Sequence, residues 1–192
     1  LRPDLSRSMR SVASSRRSDA AARLRQYDAS WRPTMPEPPL DPAPAAHDLV
    51  TMLWVNALPE IQSGYTLRSR AVALGLRAAG LGVQAVTAAG FPQGSRRLDR
   101  PALRKLDNLD VWRIGGTGTD LSPDGLGAAT AKGLARVVDE SGSEIVVSTT
   151  PHLIAATALA VARSRKKKMI YEVRGFLEET WVSRAGDGAD KS

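Results

Sequence analysis

The segment Leu49-Val-Thr-Met-Leu-Trp-Val55 is a nearly continuous apolar run. A strand with one face in water alternates apolar and polar residues, whereas a parallel strand covered on both faces is apolar almost throughout. The segment therefore predicts a strand in the middle of a sheet that has helices on both faces.

Downstream of this strand, apolar strand-like segments alternate with helical ones. Ser122-Pro123-Asp124 supplies an N-cap, a proline at the first helical position and an acid in the first turn, so a helix is expected to run to about Glu140. An earlier helix follows Gly64, with an apolar face of Leu67, Ala71, Leu74 and Ala78. The further elements that we expect are strands at 83–88, 109–114, 144–149 and 169–173 and a helix at 151–164. Five strands with intervening helices predict an α/β, Rossmann-like, doubly wound and mostly parallel sheet.

The chain divides into four segments by composition. Residues 1–30 form a basic, Arg- and Ser-rich tail, and residues 31–47 form a linker, since Trp31 to Ala46 contains six prolines in sixteen residues. Proline interrupts both helices and sheet ladders. The Rossmann-like domain is expected at 48–184, followed by a polar tail at 185–192.

The formal net charge of +7 is concentrated in two places. Residues 1–33 contain eight Arg and three Asp, and a second cluster of Arg and Lys lies within 163–168. We interpret these as a solvated, unstructured tail and a solvated turn rather than as a nucleic-acid surface, because no nucleic-acid-binding motif accompanies them.

Other features exclude several classes of protein. The chain has no cysteine and two separated histidines, His47 and His152, so neither disulfides nor a typical metal site is expected. No apolar run approaches the roughly 20 residues of a membrane span. We expect a soluble, cytoplasmic protein.

Three polar segments follow predicted strands, where α/β sheets bind their ligands. The segment Asn56–Tyr65 contains Ser63-Gly64-Tyr65 at a helix start, where backbone N–H groups can approach a phosphate. The segment 149–152 contains Thr150 and His152. The segment 172–179 brings together Glu172, Arg174, Glu178 and Glu179. Each also has a purely structural interpretation: a tight turn at Gly64, a structural histidine, and a surface ion-pair cluster.

Together, Ser63-Gly64-Tyr65, Thr150-Pro151-His152 and Tyr171-Glu-Val-Arg-Gly175 with Glu178 resemble the N-terminal domain of retaining GT-B glycosyltransferases of the group 1/family 4 type. The resemblance covers residues 48–184. It implies one half of a two-domain enzyme, with an acceptor-side N-terminal domain and a C-terminal donor domain beyond this chain.

The resemblance also implies the roles of individual residues. Gly64 would approach the donor diphosphate, Ser63 and Tyr65 would shape its loop, and Arg174 and Glu172 would line the reaction centre. Thr150, His152 and Glu178 are further candidates for donor or acceptor binding. The family's histidine after the fifth strand is replaced here by Glu-Val-Arg-Gly, so no catalytic base is assigned.

The implied partners are a nucleoside diphosphate sugar as substrate and a saccharide or lipid-linked acceptor of the cell envelope, with no metal or further cofactor. The implied location is the cytoplasm, including the inner face of the membrane. The chain by itself is expected to turn over little or nothing.

Two other classes remain open. A non-catalytic Rossmann-like binding module fits the short chain and the basic tail. A nicotinamide-dependent oxidoreductase would need a G-x-G-x-x-G loop after the first strand, whereas Gly115-Gly116-Thr117-Gly118 has another spacing and follows the third predicted strand.

Overall fold

The computed structural model describes residues 5–28, 30–92, 101–115 and 122–175. The helices are α1 (Leu5–Gln26), α2 (Gly64–Ala78), α3 (Pro123–Ser141) and α4 (His152–Ser164). The strands are β1 (Ala46–Trp54), β2 (Gly82–Thr87), β3 (Ala102–Leu106), β4 (Leu109–Arg113), β5 (Ser143–Thr149) and β6 (Lys168–Glu172). The predicted α/β, Rossmann-like class is confirmed.

The six strands form one sheet in the order β3-β4-β2-β1-β5-β6. All neighbouring pairs are parallel except β3 with β4. From β1 the chain moves one way to β2 and later the other way to β5, so the order reverses between β1 and β5. Such a reversal opens a crevice beyond the carboxyl ends of the two strands.

Strand β1 is buried on both sides, as its apolar run predicts. Val50, Met52 and Trp54 join the core under α2, whereas Leu53 joins the core under α3 and α4. Successive side chains of a strand point to opposite faces of the sheet. A strand between two helical layers therefore needs apolar residues at its odd and at its even positions.

Strand β3 was not predicted. It is an antiparallel edge strand whose sequence, Ala-Leu-Arg-Lys-Leu, has an exposed centre and no apolar alternation. Asp107 and Asn108 join it to β4, both with positive φ. A two-residue turn of this geometry favours Asn, Asp and Gly. The Asp-Asn pair was therefore the feature of the sequence that could have predicted the hairpin of β3 and β4.

The predicted apolar face of α2 was wrong. Leu67 is 44% exposed, and the buried residues are Thr66, Ser69 and Ala73, with Val72 and Leu76 packed beside them. Small side chains let α2 lie close to the sheet. In the N-terminal half of α2, the face that is buried is therefore less hydrophobic than the face that is exposed.

Residues interpreted as an unstructured tail form α1 instead. Ala22 and Gln26 are buried, and Arg25 and Gln26 both donate to the carboxylate of Asp124 at the start of α3. The remaining described side chains of α1 are mostly exposed, so the helix is held at its C-terminal end.

The proline-rich segment has no regular structure up to β1, but it is attached to the domain. Arg165 donates to the carbonyl oxygens of Pro36 and Glu37 and forms an ion pair with Asp139 at 3.1 Å. The Arg165 side chain is 4% exposed. The solvated turn predicted at 163–168 is therefore wrong at Arg165, although Arg163, Lys166 and Lys168 are exposed.

Candidate functional site

A cleft lies at the point where the strand order reverses. It encloses about 580 Å³ of empty space, counting its open mouth. Its walls come from the ends of β1 and β5, the first turns of α2, and the segment after β6. The lining residues are Val55, Asn56, Ser63, Tyr65, Ser69, Thr149, Thr150, Pro151 and Arg174.

The N-terminus of α2 forms one wall of the cleft. Ser63 and Thr66 make a capping box in which the Ser63 hydroxyl accepts from the Thr66 N–H and the Thr66 hydroxyl accepts from the Ser63 N–H. The N–H groups of Gly64 and Tyr65 have no hydrogen-bond partner among the described residues. They are free to bind an anion at the positive end of the helix dipole.

Arg174 connects this helix to the end of β6. Its Nη1 donates to the Tyr65 carbonyl oxygen at 3.0 Å and to the Ser69 hydroxyl at 2.6 Å, and its Nη2 donates to Glu172 at 2.8 Å. The Arg174 side chain is 2% exposed. Its Nε is buried without a partner in the described part of the chain.

Glu172 stands between two arginines. Its second carboxylate oxygen pairs with Arg68 at 2.8 Å. Burial by itself would raise the pKa of Glu172, but the hydrogen bond and charge of Arg174, together with Arg68, outweigh burial and hold the pKa below its ordinary value. Glu172 is therefore ionised at neutral pH and is poorly suited to donate a proton.

Another buried arginine, Arg113, supports the loop between β1 and α2. Arg113, at the end of β4, donates to the Leu58 carbonyl oxygen at 3.0 Å and to Glu60 at 2.8 Å, and its guanidinium lies 5.0 Å from the centre of the Phe91 ring. Burial lowers the pKa of Arg113 from its usual high value. This loop carries Asn56 and Ser63 into the cleft.

Several sequence-predicted residues meet at the cleft. Ser63, Tyr65, Thr150 and Arg174 line it, Gly64 lies between two lining residues, and Glu172 contacts Arg174. Ser69 was missed because it was counted outside the apolar face of α2. The feature of the sequence that could have indicated a place in the cleft is that Ser69 is a small polar residue five positions after Gly64 in the same helix.

Two predicted residues are elsewhere. His152 begins α4 outside the cleft, where its ring lies 4.8 Å from that of Tyr27, centre to centre. Its position next to Pro151 in the sequence does not bring it inside, because the chain turns into α4 there. Glu178 lies outside the described residues, as do Glu179 and Gly116–Gly118.

The fold and the cleft define the class of protein: an α/β protein with a Rossmann-like sheet and a cleft at its topological switch point. Comparison with protein-family models gives no match, and comparison with curated proteins gives none either. Within the described ranges, no helix is long and apolar enough to cross a membrane, and no group of three or more carboxylate or imidazole side chains could hold a metal ion.

Proposed function

We propose that this domain is the N-terminal, acceptor-side half of a GT-B glycosyltransferase and that its cleft binds the diphosphate of a nucleoside diphosphate sugar. The observation that supports this most directly is the convergence of the free N–H groups of Gly64 and Tyr65 with the buried cation Arg174 at one crevice. Backbone N–H groups at a helix start and an arginine are the groups that recognise phosphate most often.

The charge balance of the cleft favours an anion. Arg174 lines the cleft, and the cluster that it forms behind the wall with Glu172 and Arg68 carries two positive charges against one negative charge. The buried hydroxyl of Thr150 and the Nε of Arg174 have no partner among the described residues. Buried polar atoms are nearly always hydrogen-bonded, so these two atoms are candidates to gain a partner when a ligand binds.

The hydroxyls and the amide of the cleft fit the sugar part of such a ligand. The Asn56 amide can both donate and accept hydrogen bonds. The Ser63 hydroxyl accepts from Thr66 and the Thr149 hydroxyl donates to the Thr150 carbonyl oxygen, so each keeps the opposite role for a ligand. The transfer itself, to a saccharide or lipid-linked acceptor of the cell envelope, also requires the donor domain that the resemblance implies. Arg174 would stabilise the developing charge of the leaving diphosphate.

A backbone NMR titration tests the binding step. Addition of UDP to the labelled chain is expected to shift the amide signals of Gly64, Tyr65 and Thr150, with a Kd of about 1 mM, or roughly 4 kcal/mol, because half a cleft binds weakly. Uridine, which lacks the diphosphate, is the matched control. Equal shifts with uridine, or no shift with UDP, would contradict the proposal.

The alternative is a binding module that recognises the same anion without transferring sugar. Glu172 favours it in one respect, because a carboxylate held ionised by two arginines does not supply a proton. Activity distinguishes the two functions: the proposed enzyme, completed by its donor domain, hydrolyses or transfers from the nucleotide sugar, whereas a module only binds it.

A further inference from the structure

We propose that the chain associates head to tail, with a proline loop of one copy bound in an aromatic crevice of a second copy. The proline loop is residues 37–42, Glu-Pro-Pro-Leu-Asp-Pro. The aromatic crevice lies over α4, and its rings are those of Tyr27, Trp31, His152 and Tyr171. Both surfaces are separate from the cleft at the switch point, so the inference does not depend on glycosyltransferase activity.

The proline loop stands out from the domain because it is held at both ends. Arg165 donates to two carbonyl oxygens at its start, at 2.8 and 3.2 Å, and the Ala43 N–H after its end donates to the Asp139 carbonyl oxygen at 3.1 Å. All the residues of 37–42 are exposed, and Leu40, where the chain bends, is 106% exposed. The loop therefore presents the whole leucine side chain to another molecule.

The prolines stiffen this loop before it binds. Each proline fixes its own φ near about −65°, and the residue before a proline is confined to extended conformations. Pro38, Pro39 and Pro42 leave only Leu40 without one of these restrictions. A stiff segment loses little conformational entropy on binding. Proline-rich segments of this kind bind in grooves that aromatic side chains line.

The aromatic crevice has such a lining. It encloses about 770 Å³ of empty space, counting its open mouth, between the turn after α1, the outer face of α4 and strand β6. The Tyr27 ring is 69% exposed and lies 4.8 Å from the His152 ring, centre to centre. Ala156, Leu159 and Met169 add apolar surface. The crevice can therefore receive both prolines and a leucine.

The positions of the two surfaces favour a second copy as the occupant. Within one copy, the proline loop is tied to Arg165 at the C-terminal end of α4. The aromatic crevice includes His152 at the other end of this helix, about 20 Å away at about 1.5 Å per residue. A copy that holds its own loop at one end of α4 thus leaves the crevice open for the loop of another.

The charges of the two surfaces are complementary. The proline loop carries two carboxylates, Glu37 and Asp41, and no cation. The aromatic crevice contains Arg32 and Asp28, and the exposed Arg163 lies one turn beyond Leu159 on the same face of α4. An acidic loop therefore meets a crevice with a net positive charge, which favours this pairing over contact between two loops. Because the two surfaces differ, the contact is heterologous.

Sedimentation velocity on the full 192-residue chain tests the contact. The weight-average sedimentation coefficient is expected to rise between about 0.1 and 1 mM, since a contact of this small area is weak. Leu40→Ser in the loop and Tyr27→Ser in the crevice are each expected to raise the dissociation constant at least about tenfold. Leu103→Ser, at an exposed leucine of β3, is the matched control and should leave association unchanged. Circular dichroism confirms that each variant is folded.

A mixture of the two variants separates this contact from any other. The Tyr27→Ser chain keeps its proline loop, and the Leu40→Ser chain keeps its aromatic crevice. Mixed in equal amounts, they are expected to form pairs of one chain of each kind, although neither associates alone. A parent chain that stays monomeric, association that survives both substitutions, or a mixture no more associated than its components would overturn the proposal.

Discussion

Arg174 and Glu172, two residues apart beyond and at the end of β6, form an ion pair of 2.8 Å that is anchored to α2 from both sides. Arg174 reaches the Tyr65 carbonyl oxygen and the Ser69 hydroxyl, while Glu172 reaches Arg68. The pair thus connects the edge strand β6 to the helix that forms the opposite wall of the cleft. The structural role of the ion pair is to fix the distance between these two walls.

Arg174→Ala is expected to lower turnover of the completed enzyme by about 100-fold, because a fixed cation is lost from the cleft. The free energy of unfolding, measured in parallel with urea, shows how much of the fall in turnover comes from a less stable fold. Arg68→Ala, in a half-exposed pair, is the control and should reduce stability by less than about 1 kcal/mol. Turnover of the Arg174→Ala variant equal to that of the Arg68→Ala variant would contradict the prediction, and Arg174 would then belong only to an ion-pair network.

Gly64→Trp is expected to abolish UDP binding and, in the completed enzyme, donor hydrolysis and transfer, because a large ring beside the free N–H groups would occupy the space of a ligand. A Cβ at Gly64 meets no atom within 4 Å. Gly64→Ala is therefore the matched variant and should fold and bind normally. Full activity of the Trp variant would remove this loop from the site.

Glu172 is expected to make folding stability depend on pH. Its pKa is lower in the folded chain than in the unfolded one, so its contribution is present above the unfolded value of about 4.3 and is lost as the pH falls through the lower folded value. Urea unfolding from pH 7 to pH 3 should show Glu172→Gln less stable than the parent at pH 7, with the difference shrinking in acid. Glu37→Gln, at an exposed position, should leave the profile unchanged. A constant difference at all pH values would contradict this origin.

Arg165→Ala is expected to reduce the free energy of unfolding by about 3 kcal/mol, since it leaves the mostly buried carboxylate of Asp139 unpaired. It also frees the proline-rich segment, which should become more sensitive to protease at 36–42. Arg163→Ala removes an exposed neighbour and should change stability by no more than about 0.5 kcal/mol. Similar effects of the two changes would show that Arg165 is solvated.

Gly133→Ala is expected to destabilise the protein by about 1–2 kcal/mol, although alanine favours helices. A Cβ there would lie 2.5 Å from both Cγ1 and Cδ1 of Ile114, which is buried. At Gly127, in the same helix, a Cβ would meet the Trp31 ring at an ordinary 3.5 Å. Gly127→Ala should therefore be neutral or stabilising, and thermal unfolding of the two variants side by side checks the contrast.

Prediction from sequence succeeded where local chemistry was sufficient. The proline after Ser122 and the glycine at 142 place the ends of α3, and the structure shows Ser122 as N-cap and Gly142 in the left-handed conformation at the C-cap. The same reasoning grouped Ser63, Thr150 and Arg174, because parallel strands place their carboxyl ends at one edge.

Prediction failed where the decisive contact was distant in sequence. Ser69 belongs to the cleft because it accepts a hydrogen bond from Arg174, 105 positions away. Arg165 is buried because the proline-rich segment passes over it. Neither contact leaves a periodic pattern near the residue concerned.

The sequence alone determined the class of the fold, the central place of β1 and the edge at which polar residues gather, because hydrophobic periodicity and helix caps act over a few residues. Tertiary structure decided which side of α2 is buried, that His152 lies outside the cleft, and that Arg174 holds the two walls together. These depend on how whole helices pack against the sheet, and packing is set by contacts between residues far apart in the chain.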